Sequence, residues 1–134
     1  MASSDLIIID STDPVGPAEG LFGKRFYADC IKALADDGML VQQTESPLLH
    51  LDLIKDVHAA MRESGFANTY LLNFPQPIYP SGWWSGSIAS KSAAPLAARL
   101  DAEAIRALDA RYYNAQTHQA AFALPTYVAQ ALAK

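Results

Sequence analysis

Leu6-Ile7-Ile8-Ile9 runs without a break into Asp10-Ser11-Thr12-Asp13, and Pro14-Val15-Gly16-Pro17 follows at once. Four consecutive apolar residues, three of them β-branched, are too few for a helix and too uniform for a half-exposed strand. They predict a strand buried on both faces. Strands of this kind belong to open α/β sheets, which meet their ligands at the carboxyl ends of the strands. The two carboxylates fall at that end. Pro14, Gly16 and Pro17 stiffen the following loop, so Asp10 and Asp13 are expected to be held in place. A pair of carboxylates on a rigid strand end can bind a cation, or one can hold it while the other takes its proton.

The rest of the chain supplies the sheet that such a strand needs. Leu21 to Ala35 reads as a helix, with Tyr27, Ile31 and Leu34 on an apolar stripe and Phe26 and Cys30 beside it. Asp36-Asp37-Gly38 is expected to end it, with Gly38 as the left-handed residue. Met39 to Glu45 reads as the second strand, parallel to the first because a helical crossover joins them. Ser46 and Pro47 open a second helix as cap and first turn, with Leu49, Leu53, Val57 and Met61 on one face and Gly65 closing it. Phe66 to Phe74 is the third strand. Pro75, Pro77 and Pro80 make an irregular loop, and Trp83 to Ser90 is a fourth strand antiparallel to the third. Lys91 to Arg99 reads as a small-residue linker. Asp101 caps a helix to about Leu108, and helices follow over Arg111–Phe122 and Pro125–Ala133. The fold class is α/β, in the order β-α-β-α-β-loop-β.

Spacing alone leaves the chemistry of these residues open. Asp10 and Asp13 either bind a ligand or hydrogen-bond the backbone of a strand end. Gln43, in Gln42-Gln43-Thr44-Glu45-Ser46, is either a site residue or a polar strand end facing water. Glu45 is a further carboxylate with no assigned role. Tyr79, Trp83 and Trp84 in Ile78-Tyr79-Pro80-Ser81-Gly82-Trp83-Trp84 either close the end of the sheet or form a cradle. Aromatic faces beside carboxylates suit an aliphatic chain with ammonium ends. His50, His58 and His118 show no metal spacing, and His58 reads as a surface residue on the polar side of its helix. Ser11 has no evident His and Asp partners for a hydrolase triad.

The run Asp10-Ser11-Thr12-Asp13-Pro14-Val15-Gly16-Pro17-Ala18-Glu19 resembles the signature of the polyamine aminopropyltransferase family, spermidine synthases in particular. Tyr79-Pro80-Ser81-Gly82 resembles a second family motif. The segment Tyr112-Tyr113-Asn114 through His118 to Phe122-Ala123-Leu124-Pro125 resembles the family's carboxyl-terminal part. The resemblance covers nearly the whole chain but only the second half of such an enzyme. It implies a single partial domain over residues 1–134: the carboxyl-terminal half of the catalytic domain, and so the second half of a methyltransferase-like (Rossmann-type) sheet with flanking helices.

The same resemblance implies an aminopropyl transfer from decarboxylated S-adenosylmethionine, a co-substrate rather than a permanent cofactor, to putrescine or a related diamine. Asp10 would be the general base. Asp10, Ser11, Thr12, Asp13, Gln43, Tyr79 and Trp84 would contact the amine substrate, and Pro17 the sulfonium co-substrate. No metal is implied. The family's amino-terminal β domain and glycine-rich loop have no counterpart in these 134 residues. A truncated, non-catalytic polyamine-binding module is therefore the alternative reading. A different transferase on the same kind of sheet is disfavoured by Asp10 and Asp13 occurring together with Tyr79-Pro80-Ser81-Gly82. Without a preceding strand, Leu6–Ile9 would form an apolar sheet edge, which predicts a homo-oligomer or pairing with the missing half.

Composition narrows the surroundings. Hydrophobic residues make up 51% and charged residues 18%, so the chain is globular rather than disordered. A net charge of −4 argues against a nucleic-acid surface. No apolar run approaches a membrane span, no leader pattern precedes the first strand, and Cys30 is the single cysteine. A cytoplasmic protein is expected.

Overall fold

The structure is a computed structural model and describes residues 3–133. Its centre is a four-stranded sheet in the order β1-β2-β4-β3, made of β1 (Ser4–Ile9), β2 (Leu34–Gln43), β3 (Asn68–Pro75) and β4 (Trp83–Ser90). β1 and β2 are parallel, with Ile9 beside Gln42. β4 inserts between β2 and β3 and is antiparallel to both, with Val41 beside Ile88 and Leu71 beside Ser87. The carboxyl ends of β1, β2 and β3 therefore converge on one end of the sheet, where β4 begins.

One face of the sheet is closed by α1 (Lys24–Ala33) and α2 (Leu51–Glu63). Ile9, Tyr27, Cys30, Leu34, Leu40, Val57, Met61, Phe66 and Ala89 form the core between them. A smaller cluster of Ile54, Leu71 and Val128 lies under α5 (Thr126–Leu132), and Trp83 packs against it. α3 (Ala102–Ala107) and α4 (Ala115–Ala121) follow β4, and α4 packs against β3. Asp101 accepts hydrogen bonds from the Glu103 and Ala104 amides as the cap of α3, and Asn114 forms a capping box with Thr117 at α4. β1 lies at the edge, with Leu6 47% and Ile8 69% exposed on the face opposite α1.

The element order matches the sequence reading, and several boundaries do not. Residues Gly16–Leu21 form a 3-10 turn, so α1 begins at Lys24 rather than Leu21. α1 stops at Ala33, and Leu34 through Gly38 already belong to β2. Gly38 is thus not a helix cap. It is buried in the strand where a Cβ would stand 3.0 Å from the Ala35 carbonyl oxygen and from the Leu34 side chain. A close approach, not a left-handed turn, requires glycine there. Ser46 and Pro47 precede α2 by a separate turn: Ser46 Oγ accepts from the Leu48 amide at 3.2 Å, and the helix itself starts at Leu51. Gly65 does close α2, at φ 111°.

Gln42 ties the site-bearing loop to this core. It is fully buried, accepts the Tyr27 hydroxyl on Oε1 at 2.6 Å, and donates from Nε2 to the Leu21 carbonyl at 3.0 Å. One side chain of β2 thereby fixes both α1 and the end of the turn that follows Asp13.

Candidate functional site

A pocket of about 1280 Å³ opens at the carboxyl ends of β1 and β2. The end of β1 and its loop contribute Asp10, Ser11, Thr12 and Asp13; β2 and its exit contribute Gln43 and Glu45. Tyr79 arrives on the Pro-rich loop, Trp84 as the second residue of β4, and His50 from the turn before α2. All but one of the residues expected from the sequence meet here. Pro17 stands exposed in the 3-10 turn, outside this lining.

Local backbone explains the convergence. Asp10 and Asp13 follow the last paired residue of β1, so their side chains are free of the ladder and exposed. The Asp13 carbonyl accepts the Val15 amide at 2.6 Å, turning the chain at Pro14. Gln43 Nε2 donates to the Ser11 carbonyl at 3.3 Å and so joins the two strand ends. Across the pocket, Tyr79 and Trp84 stack with centroids 4.8 Å apart at 37°, and the His50 ring meets Trp84 edge-on at 6.5 Å. Trp83 points the other way into the core, donating from Nε1 to Asn73 Oδ1 at 2.9 Å.

Glu45 is the residue the sequence undervalued. Only 3% exposed, it sits at φ 66° just past β2. Its amide donates to Gln43 Oε1 at 2.6 Å, and its Oε1 accepts from Gln43 Nε2 at 3.3 Å. Burial pushes its carboxyl up to about 7; the neighbouring Asp13 adds to this as hydrogen-bond partner and like charge, and Gln43 partly opposes it. Its only mark in the sequence is a place in the polar run that ends β2; the left-handed turn that brings it back over Gln43 has no local pattern.

His58 overturns its sequence reading as a surface residue. It is 2% exposed, and its Nε2 lies 2.9 Å from Ser87 Oγ beneath the sheet. The α2 face it occupies also carries Ile54 and Met61, so the stripe is wider than the leucine spacing suggested. Burial, helped by the Arg62 charge, lowers its pKa to about 4.

These two groups pull stability in opposite directions with pH. Glu45 holds its proton more tightly in the folded state, so its contribution is full below pH about 4.5 and is lost as pH rises through 7. His58 resists protonation when folded, so its contribution is full above pH about 6.5 and is lost as pH falls through 4. Glu45→Gln is expected to raise stability at pH 8 by about 1–2 kcal/mol, since the Gln43 hydrogen bond only partly offsets the buried charge, and to leave the acid-side loss due to His58 uncompensated. Urea unfolding across pH 4–8 reads both effects; parallel profiles for parent and variant would contradict the assignment.

The site and the fold together define a class: an open α/β sheet with an acidic and aromatic pocket at its strand ends. Comparison with known proteins makes this specific. Residues 1–101 match the spermine/spermidine synthase domain. A polyamine aminopropyltransferase of Xanthomonas axonopodis pv. citri is 54% identical over 131 residues, covering 97% of this chain and 46% of the relative. One from Methylococcus capsulatus is 55% identical over 128 residues, covering 96% and 45%. Among solved structures, a spermidine synthase in complex with the transition state analogue AdoDATO superposes with a TM-score of 0.88 at 37% identity, and spermidine synthase from Thermotoga maritima at 0.84 and 36%. Each structural match covers 97% of this chain and under half of the other.

The chain belongs to the spermine/spermidine synthase domain family. Its fold is that of the spermidine synthases, methyltransferase-like, and it spans about half the length of the curated relatives it matches. Among the described residues, no helix is long and apolar enough to cross a membrane.

Proposed function

We propose that residues 1–134 form the carboxyl-terminal half of an aminopropyltransferase catalytic domain and carry the amine half of its active site. The acceptor is putrescine or a related diamine, and the donor is decarboxylated S-adenosylmethionine. The carrying observation is the meeting of Asp10, Asp13, Gln43, Tyr79 and Trp84 around one pocket.

Putrescine is a dication at neutral pH, and a protonated amine cannot attack carbon. Asp10 accepts the proton of the attacking nitrogen. That nitrogen then forms a bond to the aminopropyl carbon as the carbon–sulfur bond breaks. The electron pair leaves on sulfur as a neutral thioether, so little acid assistance is needed. Asp13 holds the diamine by charge-assisted hydrogen bonding, with Ser11 and Thr12 beside it, and Gln43 braces the two strand ends. The stacked Tyr79 and Trp84 faces cover the methylene chain and attract its ammonium ends. Fixing both ends of the diamine aligns the attack, an orientation effect of several kcal/mol. Pro17, outside the pocket, is assigned to the sulfonium side by family resemblance alone.

A module that binds polyamine without turnover is the second reading, favoured by the position of Pro17 outside the pocket lining. The exposed β1 edge is proposed to pair with a second copy or with the other half of a longer chain. Residence in the cytoplasm remains part of this proposal. Calorimetric titration of putrescine, with and without decarboxylated S-adenosylmethionine, tests the amine site. Binding is expected in the parent and at least about tenfold weaker in Asp13→Ala, the value of one charge-assisted bond. Equal affinity in the two proteins would place the amine elsewhere.

A further inference from the structure

A line of buried hydroxyls runs from α2 through the sheet to the pocket, and its hydrogen bonds point one way. Ser85 Oγ donates to the Glu45 carbonyl at 2.8 Å. A hydroxyl has a single proton. Ser85 must therefore accept from Thr44 Oγ1, 3.0 Å away. Thr44, its proton spent, accepts from Ser87 Oγ at 2.9 Å. Ser87 in turn accepts from His58 Nε2, also at 2.9 Å. Thr44, Ser85 and Ser87 are fully buried, so no water substitutes for a missing link. The carbonyl at one end dictates the tautomer at the other: His58 carries its proton on Nε2.

The far end of this line is a strained residue. Glu45 is not glycine, yet it stands at φ 66°, a strained conformation that persists only when its surroundings impose it. Gln43 grips the Glu45 amide from the pocket side, and Ser85 grips its carbonyl from the sheet side. The Glu45 carboxyl turns back onto Gln43, accepting its Nε2 at 3.3 Å, in the pocket that Asp13 also lines.

We propose that His58 is a positioning residue for the pocket: through Ser87, Thr44 and Ser85 it holds the Glu45 backbone in the left-handed turn that sets its carboxyl on Gln43 in the pocket lining. His58, Ser87 and Thr44 lie outside the pocket lining, which the relay reaches at Ser85. Its consequence for amine binding rests on the function proposed above; its consequence for Glu45 does not. The titratable groups that share the pocket with Glu45 are Asp10 and Asp13 from the β1 end, His50 from the turn before α2, and Tyr79 from the loop before β4. Arg62 is the charge that acts on His58 within α2.

The experiment uses Thr44→Val, which keeps the shape of the side chain and removes the middle hydroxyl, with Thr44→Ser as the variant that restores it. Three signals are followed by NMR: the Glu45 Cα and Cβ shifts, which report its φ; the Glu45 carboxyl titration; and the His58 ring nitrogens. The parent is expected to show His58 with a protonated Nε2 and a bare Nδ1. Thr44→Val is expected to move the Glu45 backbone shifts out of the left-handed range, shift its carboxyl midpoint, and weaken putrescine binding about 5–10-fold, with Thr44→Ser near the parent. His58→Leu should displace the same Glu45 signals, and His58→Gln, which keeps a donor, should restore them. Ser87→Ala breaks the line at the next link and replaces Thr44→Val if that variant does not fold. Unmoved Glu45 signals in a folded, less stable variant would reduce the relay to core satisfaction and overturn the proposal, as would the Nδ1–H tautomer. Loss of putrescine binding in the parent would count against the amine site alone, because the Glu45 signals decide the relay without it.

Discussion

Asp10→Asn is expected to lower aminopropyl transfer by about 100-fold to 10,000-fold while changing putrescine affinity by less than about tenfold. The asparagine keeps the size and a hydrogen-bonding oxygen of the aspartate, so the amine still has a partner in the pocket. What it loses is the ability to take a proton. An amine that keeps its proton has no lone pair, so the loss falls on the rate rather than on binding. Asp13→Ala should show the reverse pattern, with affinity falling first. A chimera in which this chain replaces the matching 46% of the Xanthomonas axonopodis relative supplies the complementary half for a transfer assay. Equal losses of rate and affinity in both variants would mean that the two carboxylates share one role. Asp10→Asn with parental turnover would remove it as the base.

The second large effect is on stability. Gln42→Leu is expected to cost about 2–4 kcal/mol in chemical denaturation, because it leaves the buried Tyr27 hydroxyl unmatched at about 1–3 kcal/mol and the half-buried Leu21 carbonyl at less. The Tyr27 hydroxyl loses its acceptor, and the Leu21 carbonyl loses its donor. Tyr27 is itself fully buried, and burial raises its pKa, so it finds no water in exchange. Adding Tyr27→Phe to Gln42→Leu removes the orphaned hydroxyl and should recover about 1 kcal/mol or more, which an additive pair would not do. The same substitution loosens the turn after Asp13, so amine affinity should fall with stability. A loss under 0.5 kcal/mol would mean the bridge carries no strain across these elements (about the range of a neutral surface change).

The strand ends were the most legible part of the sequence. Leu6–Ile9 announces a sheet strand by its β-branched run, and its carboxyl end carries the acidic residues because α/β sheets place ligands there. The antiparallel return of β4 follows from too short a connection after β3. Other features depend on contacts that periodicity does not encode. Leu34 and Ala35 continue the helical stripe of α1, yet Lys91 Nζ donates to the Ile31 and Leu34 carbonyls and the chain leaves the helix at Ala33. His58 looks like a polar-face residue until Ser87, 29 positions away, supplies a partner beneath it. Glu45 gains its left-handed turn from Gln43 and Ser85 and its raised pKa from burial and Asp13, and no local pattern reveals a conformation imposed by residues from two strands. Exposed β1 side chains on one face correct the expectation of a strand buried on both, since Leu6 and Ile8 face outward while Ile9 enters the core.

The two tryptophans allow the central claim, an amine pocket between the strand-end carboxylates and the Tyr79–Trp84 stack, to be tested in one titration. Trp84 lines that pocket, and Trp83, its chain neighbour, is hydrogen-bonded to Asn73 on the other side of the strand. In ¹⁵N-labelled protein their indole resonances separate. Putrescine should move the Trp84 indole progressively to saturation and leave Trp83 in place, with Asp13→Ala abolishing the movement. A Trp83 shift with Trp84 unmoved, or no shift of either at millimolar diamine, would contradict the account.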